Sequence, residues 1–353
     1  MSLNDIKSMT VEEIKNDFDK MGQPSFRALQ VYKWLHGGVN SFDEMTNLSK
    51  SFRALLKERY YIATASVEQK FCSKADDTVK YLFSMHDGEL VESVLMSYKY
   101  GRTVCISTQV GCKMACSFCA TGKSGFSRNL SPSEMLSQIQ TAQADAGERI
   151  SNVVMMGMGE PLDNYDSTLR FLDLVSSPDG MNIGMRHISL STCGIVDKIY
   201  DLAMKKYQLT LSVSLHAPND EIRSRIMPVS RRWGIDELLD ACRFYIKTTG
   251  RRISFEYAVI KGVNDSTENA RELASRLKGM LCHVNLIPAN SVKGSGYERT
   301  PRVQVENFIR ILSDRGVTAT VRRTLGSDIN ASCGQLRRRY REEVAGVENI
   351  QQK

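Results

Sequence analysis

The chain has 353 residues, 42% of them hydrophobic and 25% charged, and carries a net charge of +7. That length allows one large α/β domain and a smaller one around a sizeable core, and the composition excludes a disordered or fibrous chain. No run approaches the roughly 18 to 20 apolar residues of a membrane span, and the first twenty residues hold no apolar leader core, so a cytoplasmic protein without membrane contact is expected. Nine cysteines are an odd number and too sparse for a disulfide scaffold. In a reducing compartment such thiols are free, catalytic or metal-bound.

In chain order, "PSFRALQVYKWLHGG" and "LSKSFRALLKERY" predict short, basic, amphipathic helices of an accessory domain over residues 1–65. The segment "VKYLFSMHDGELVESVLMSYKYGRTVCIS" then alternates apolar and polar residues around His86-Asp87-Gly88. It predicts β-hairpins, a linking extension over 66–100. By its alternation alone, Glu92 is a solvent-facing strand residue.

From about residue 101 to 335 strand-like and helix-like runs alternate, which implies βαβ units and a parallel sheet. The strands read "TVCISTQV", "NVVMMGMGEP", "HISLST", "LTLSVSLH", "RISFEYAVI" and "HVNLIP", with a further "VTATVRR". Among the helices, Ser131 is the expected N-cap of "SPSEMLSQIQTAQADAG", with Pro132 first and Glu134 completing a capping box. Two others, "DELLDACRFYIKTTG" and "DSTENARELASRLKG", are expected to end on Gly250 and Gly279. Six such strands form a partial (β/α)6 barrel, whose chemistry gathers at the carboxyl ends of the strands. The cysteine loop, "GMGEP", "STCG", "SLHAPN" and "NLIPAN" all fall there. A basic tail occupies 336–353.

Cys105, Cys112, Cys116 and Cys119 stand within fifteen residues, the last three in a C-x3-C-x2-C spacing. A structural zinc site would use four ligands, commonly as two separated knuckles, and no second knuckle follows. Three thiolates in one tight loop instead suit a 4Fe–4S cube with one iron open to a cofactor. With Phe118 before the last cysteine, the spacing resembles the radical S-adenosylmethionine (SAM) enzymes. There the open iron chelates SAM, and one electron cleaves it to a 5′-deoxyadenosyl radical. The glycines of "MGMGEP", Gly159 among them, would let backbone approach that cofactor, and Glu160 would bind its ammonium. Ser191, the run Ser214-Leu215-His216, and Asn290 follow three further strands, where they would reach ribose, adenine or carboxylate.

The order of C-x3-C-x2-C, Cys105, "GMGEPLDN", "SLHAPNDEIRSRIMP", "VNLIP" and "DINASCGQL" closely resembles the radical SAM RNA adenosine methyltransferases of the RlmN/Cfr group. The likeness runs from "GQPSFRALQVYKWL" to Cys333. It implies methylation of adenosine carbon 2 in 23S ribosomal RNA at the peptidyl-transferase centre, and in tRNA beside the anticodon, with two SAM used per methyl. "GMGEPLDN" and "NLIP" look more like this carbon-2 branch than the carbon-8 branch. Carbon 2 is electron-poor and cannot attack the SAM methyl directly. The resemblance therefore makes Cys333 a methyl carrier, the S-methylcysteine whose carbon radical adds to the ring. Glu92 matches the proton acceptor, and Cys105 the resolving thiol that forms a transient disulfide with Cys333.

An external electron donor such as flavodoxin, and a monomeric state, complete the expectation. Cys72, Cys193, Cys242 and Cys282 match no catalytic position and read as core or spare thiols. Asn330 and Ser332 stand where the group often has Asp and Ala. The basic pairs Arg231-Arg232, Arg251-Arg252 and Arg322-Arg323, with the run Arg337-Arg338-Arg339, are candidates for gripping RNA backbone. Two rivals remain at this stage: a radical SAM enzyme acting on a protein or small molecule, and a zinc-stabilised RNA-binding protein.

Overall fold

A computed structural model describes residues 3–288 and 296–329. Asn290, Cys333 and the run Arg337 to Arg339 therefore lie outside the described residues.

The N-terminal unit holds β1 (Asn4–Asp5), α1 (Val11–Lys20), α2 (Phe26–His36), α3 (Lys50–Arg59) and β2 (Tyr60–Tyr61). The helix α1 is an element that charge alternation hides. Thr10 and Glu13 cap its start reciprocally, and Ile14 and Phe18 turn inward. Phe18 meets Phe52 edge-on at 5.3 Å. Arg170 grips Glu13 through two bonds of 3.0 and 2.8 Å, and buried Lys7 donates to Ser137 at 2.7 Å, so the unit is seated on the larger domain.

Three antiparallel strands follow: β3 (Ala65–Cys72), β4 (Val79–Met85) and β5 (Leu90–Tyr98). The expected hairpin turns at Gly88, whose φ of 79° suits glycine, and Met85 N–H donates to Glu89 O at 2.8 Å. The strand predicted from "TVCISTQV" is divided. β6 (Gly101–Cys105) stays in the main sheet, while β7 (Gln109–Gly111) leaves it to pair with β8 (Phe126–Asn129). Between them Thr108 N–H donates to Met158 O at 2.8 Å, which draws the chain off the strand path.

The short α4 (Ala120–Lys123) lies between β7 and β8. The remaining elements are α5 (Pro132–Ala146), β9 (Ile150–Met155), α6 (Tyr165–Ser176), β10 (Ile188–Thr192), α7 (Val196–Met204) and β11 (Thr210–Ser214). Then come α8 (Asp220–Ile226), α9 (Ile235–Thr249), β12 (Ile253–Val259), α10 (Thr267–Leu277), β13 (Cys282–Pro288), α11 (Arg302–Asp314) and β14 (Ala319–Val321). Ser131, Pro132 and Glu134 cap α5 as expected, and α9 ends on Gly250 in the left-handed conformation. α10 stops two residues short of Gly279.

Among the described residues ten strands form one sheet in the order β14-β13-β12-β11-β10-β9-β6-β5-β4-β3. β6 and β9 to β14 are parallel, and β3 to β5 extend the β6 edge antiparallel. The sheet is open, as a partial barrel requires. Side chains alternate between its faces. Val153, Leu190, Leu211, Val213, Phe255 and Leu286 are fully buried in the main hydrophobic core. The intervening positions, Ser191, Ser212, Ser214, Ser254, Glu256 and Asn285, form an inner polar face in register across β10 to β13.

Candidate active site

At the carboxyl ends of the parallel strands lies a cavity of about 320 Å³. Cys112, Cys116 and Cys119 line it together with Gly159, Glu160, Ser191, Ser214 and His216. Backbone bonds shape the cysteine loop: Cys112 N–H donates to Gly125 O at 2.9 Å and Ser117 N–H to Ile226 O at 3.0 Å. A side chain at Gly111 would place its Cβ 2.0 Å from Gly125 O, so only glycine allows this closure. Burial pushes the Cys112 thiol up to about 12 and raises Cys116 as well. These are neutral thiols until a metal displaces their protons. Among the described residues no three His, Cys, Asp or Glu side chains are grouped as for one metal ion.

The wall opposite is fixed by backbone donors. Glu160 accepts from Leu162 N–H at 3.0 Å and Cys193 N–H at 2.7 Å. Burial raises its carboxyl above the usual range while those donors oppose the shift. Gly157 and Gly159 have a packing reason beyond cofactor approach. A Cβ at Gly157 would lie 2.5 Å from Ile106 O, and one at Gly159 2.6 Å from Gln109 Cβ. His216, at φ 56°, accepts the Ala258 N–H on Nδ1 at 2.9 Å. Burial, then the Arg223 charge, depresses it to about 3, so it is a neutral imidazole with its proton on Nε2. Phe118 meets its ring edge-on at 4.9 Å. Leu215 points into the core, and its N–H is held by Glu256 O at 3.0 Å, so it lends only backbone shape.

Three features went unread in the sequence. Arg223 is fully buried and donates to the carbonyls of Cys193 (2.6 Å), Leu215 (3.1 Å) and Ser214 (3.2 Å), tying the ends of β10 and β11 together. Glu256 accepts from Asn285 at 2.8 Å and Ser254 at 3.0 Å, with Arg322 3.9 Å away. A lone acid inside the apolar run "RISFEYAVI" was its available signal. Cys193, expected to be a core or spare thiol, is buried in the main core and also lines the cavity beside Glu160.

Cys105 and Glu92 do not line this cavity. Cys105 pairs with Val94 and Val154 in register and is buried with Val94 and Met96, facing the adjoining part of the inner sheet face. Glu92 is not at the surface, as alternation implied. β5 is covered on both sides over most of its length, and Lys80 Nζ lies 2.9 Å from Glu92 Oε2 with each side chain only 2% exposed. Among the described residues no two cysteines are joined by a disulfide. The segment before Cys333 is clasped by the β3–β4 turn: Asp328 accepts from Ser73 Oγ (2.7 Å) and Lys74 N–H (2.8 Å), and Gly326 N–H donates to Asp76 (3.0 Å). A second cavity of about 780 Å³ adjoins the first and gathers Arg251, Arg252, Arg322 and Arg323.

Residues 106–274 match the Radical SAM superfamily, and residues 4–62 match the ribosomal RNA large subunit methyltransferase N-terminal domain. Among solved structures, a radical SAM methyltransferase from Sphaerobacter thermophilus superposes with a TM-score of 0.90 at 44% identity, covering 94% of this chain and 98% of that one. The fold is thus that of the radical SAM enzymes. A probable dual-specificity RNA methyltransferase RlmN from Clostridium novyi is 51% identical, over 96% of this chain and 99% of its own. One so described from Alkaliphilus oremlandii is 53% identical over 95% and 98%. The chain belongs to the RlmN family. Membership implies SAM and an iron–sulfur cluster, and three thiols sharing one cavity wall are a fitting donor set. No helix among the described residues is long and apolar enough to cross a membrane.

Proposed function

We propose that this enzyme methylates carbon 2 of adenosine in RNA. The substrates are 23S ribosomal RNA at the peptidyl-transferase centre and tRNA beside the anticodon, encountered in the cytoplasm. One observation carries the reading: the three cysteines share a cavity with Glu160, Ser214 and His216, while Cys105 and Glu92 stand on the adjoining face of the same sheet. Cys112, Cys116 and Cys119 would hold one 4Fe–4S cluster, fed by an external donor such as flavodoxin. Together with SAM, the cluster supplies the radical chemistry.

The chain's own residues do the rest. Glu160, Ser191, Ser214, His216 and Asn290 hold SAM, with neutral His216 as a donor that brings no charge. Cys333 carries the methyl group, and the bonds of Asp328 to Ser73 and Lys74 and of Gly326 to Asp76 anchor the chain that bears it. After the carrier carbon joins the ring, Glu92 takes the proton from carbon 2, and the unpaired electron left on the ring would return to the cluster, which SAM cleavage leaves one electron short. The Cys105 thiolate then attacks the Cys333 sulfur. A sulfur–sulfur bond forms, the sulfur–carbon bond breaks, and its electron pair stays on the carbon, which a proton completes to methyl. Arg251, Arg252, Arg322 and Arg323 would hold phosphates at the second cavity. Mass spectrometry of nucleosides from treated RNA tests the reading: 2-methyladenosine supports it, while 8-methyladenosine or no product overturns it.

A further inference from the structure

Lys80 lies on β4, where it pairs in register with Val94, and Val94 pairs in turn with Cys105. Leu82, two residues on, pairs with Glu92. Alternate strand residues share a face, so Lys80, Glu92, Val94 and Cys105 all project from the same side of the sheet. The Lys80 ammonium is 2.9 Å from the Glu92 carboxylate, and both are shielded from water. The backbone there is fixed too: Glu92 O accepts from Ser107 Oγ at 2.7 Å, and Met158 N–H donates to that hydroxyl at 2.9 Å.

The neighbours on this face, Leu82, Val94, Met96 and Cys105, are buried and offer no charge. A carboxylate shut away from water needs a partner of opposite charge, and the Lys80 ammonium supplies one. A buried ion pair contributes little net stability compared with apolar packing, so the fold has no need of one here. A base on this face does need it. Lys80 stands two strands from Cys105, about 9 to 10 Å at the backbone, so it serves the carboxylate rather than the thiol.

We propose that Lys80 is a positioning residue for the proton-accepting step, the counter-charge that holds the Glu92 carboxylate in place on the inner face of the sheet. This rests on the reading of Glu92 as the acceptor. In that step the bond from carbon 2 to hydrogen breaks, its electron pair stays in the ring, the proton bonds to Glu92, and the unpaired electron left by radical addition would return to the cluster.

The test uses the full chain with its reconstituted cluster, SAM, reductant and RNA. Lys80→Gln retains a hydrogen-bond donor without charge, and Lys80→Arg retains the charge. Iron content, SAM cleavage and the Cys333 methyl (by peptide mass spectrometry) are followed beside RNA product. Lys80→Gln is expected to keep the first three and lose at least about tenfold in product, with covalent protein–RNA adduct accumulating. Lys80→Arg is expected to restore most of the rate. Wild-type product formation by Lys80→Gln would overturn the proposal. So would a parallel fall in iron and SAM cleavage, or a Lys80→Arg no better than Lys80→Gln. The double variant Lys80→Gln/Glu92→Gln leaves no unpaired buried charge, and should form product no more slowly than Glu92→Gln alone; a further loss contradicts the assignment. Normal turnover by Glu92→Gln would remove the parent reading, whereas a stalled Glu92→Gln beside a normal Lys80→Gln removes only the role of Lys80.

Discussion

In the parallel half of the sheet, Glu160 and His216 are held by backbone N–H groups of Leu162, Cys193 and Ala258. In the antiparallel half, the Lys80 ammonium lies 2.9 Å from the Glu92 carboxylate. The first arrangement follows from the path of the chain and survives most side-chain changes around it. The second pairs two side-chain charges out of water, which costs stability. The cofactor wall is therefore robust, and the chemistry beside Cys105 is fragile.

The largest break in that comparison removes the wall's metal. Cys112→Ala, Cys116→Ala or Cys119→Ala should each abolish iron binding and SAM cleavage, measured by iron analysis and by release of 5′-deoxyadenosine. In the other half, Glu92→Gln should keep both and lose roughly 100-fold or more in completed methyl transfer. Arg223→Met tests whether the wall rests on the chain path alone. Loss of the guanidinium strands three carbonyls at the ends of β10 and β11, and should cost roughly 3 kcal/mol or more in denaturant unfolding.

A buried group outside both halves gives a smaller effect of known sign. Burial, with the Lys7 charge behind it, depresses His36 from 6.5 to about 3. Below pH 6.5 the unfolded chain binds a proton that the fold refuses, so stability is lost as pH falls from about 6.5 toward 3. The slope is about 1.4 kcal/mol per pH unit. His36→Phe keeps the stack on Tyr32 and should flatten the acid side of the unfolding profile by that amount. The smallest effect belongs to the clasp: Asp328→Ala should slow methylation of Cys333 a few-fold without moving the melting temperature.

What sequence makes legible follows the same division. The cysteine spacing, the Ser131 capping box and the loops after each parallel strand are local patterns, and a parallel strand announces its functional residues by ending. Glu92 sits within β5, where alternation assigns it to solvent, and Lys80 near the start of β4 carries no signal of its own. Only the sheet's assembly shows that both faces of β5 are covered. Arg223 was hidden for a related reason, since its partners are carbonyls at the ends of two strands, one of them 30 residues away. Cys193 looked spare because its place beside Glu160 is made by a bond across 33 residues. The start of α1 is set by Thr10 and Glu13, a capping pair that the charge pattern masks.

The central claim is that three cysteines of the 105–119 stretch hold iron while Cys105 acts as a thiol, and Cys105→Ala tests it most directly. With SAM, reductant and RNA, that variant should load Cys333, join it to RNA and stop there. The predicted result is a nuclease-sensitive band shift on a denaturing gel that Cys105→Ala/Cys333→Ala lacks. Normal turnover by Cys105→Ala, or unfolding without any adduct, would contradict it.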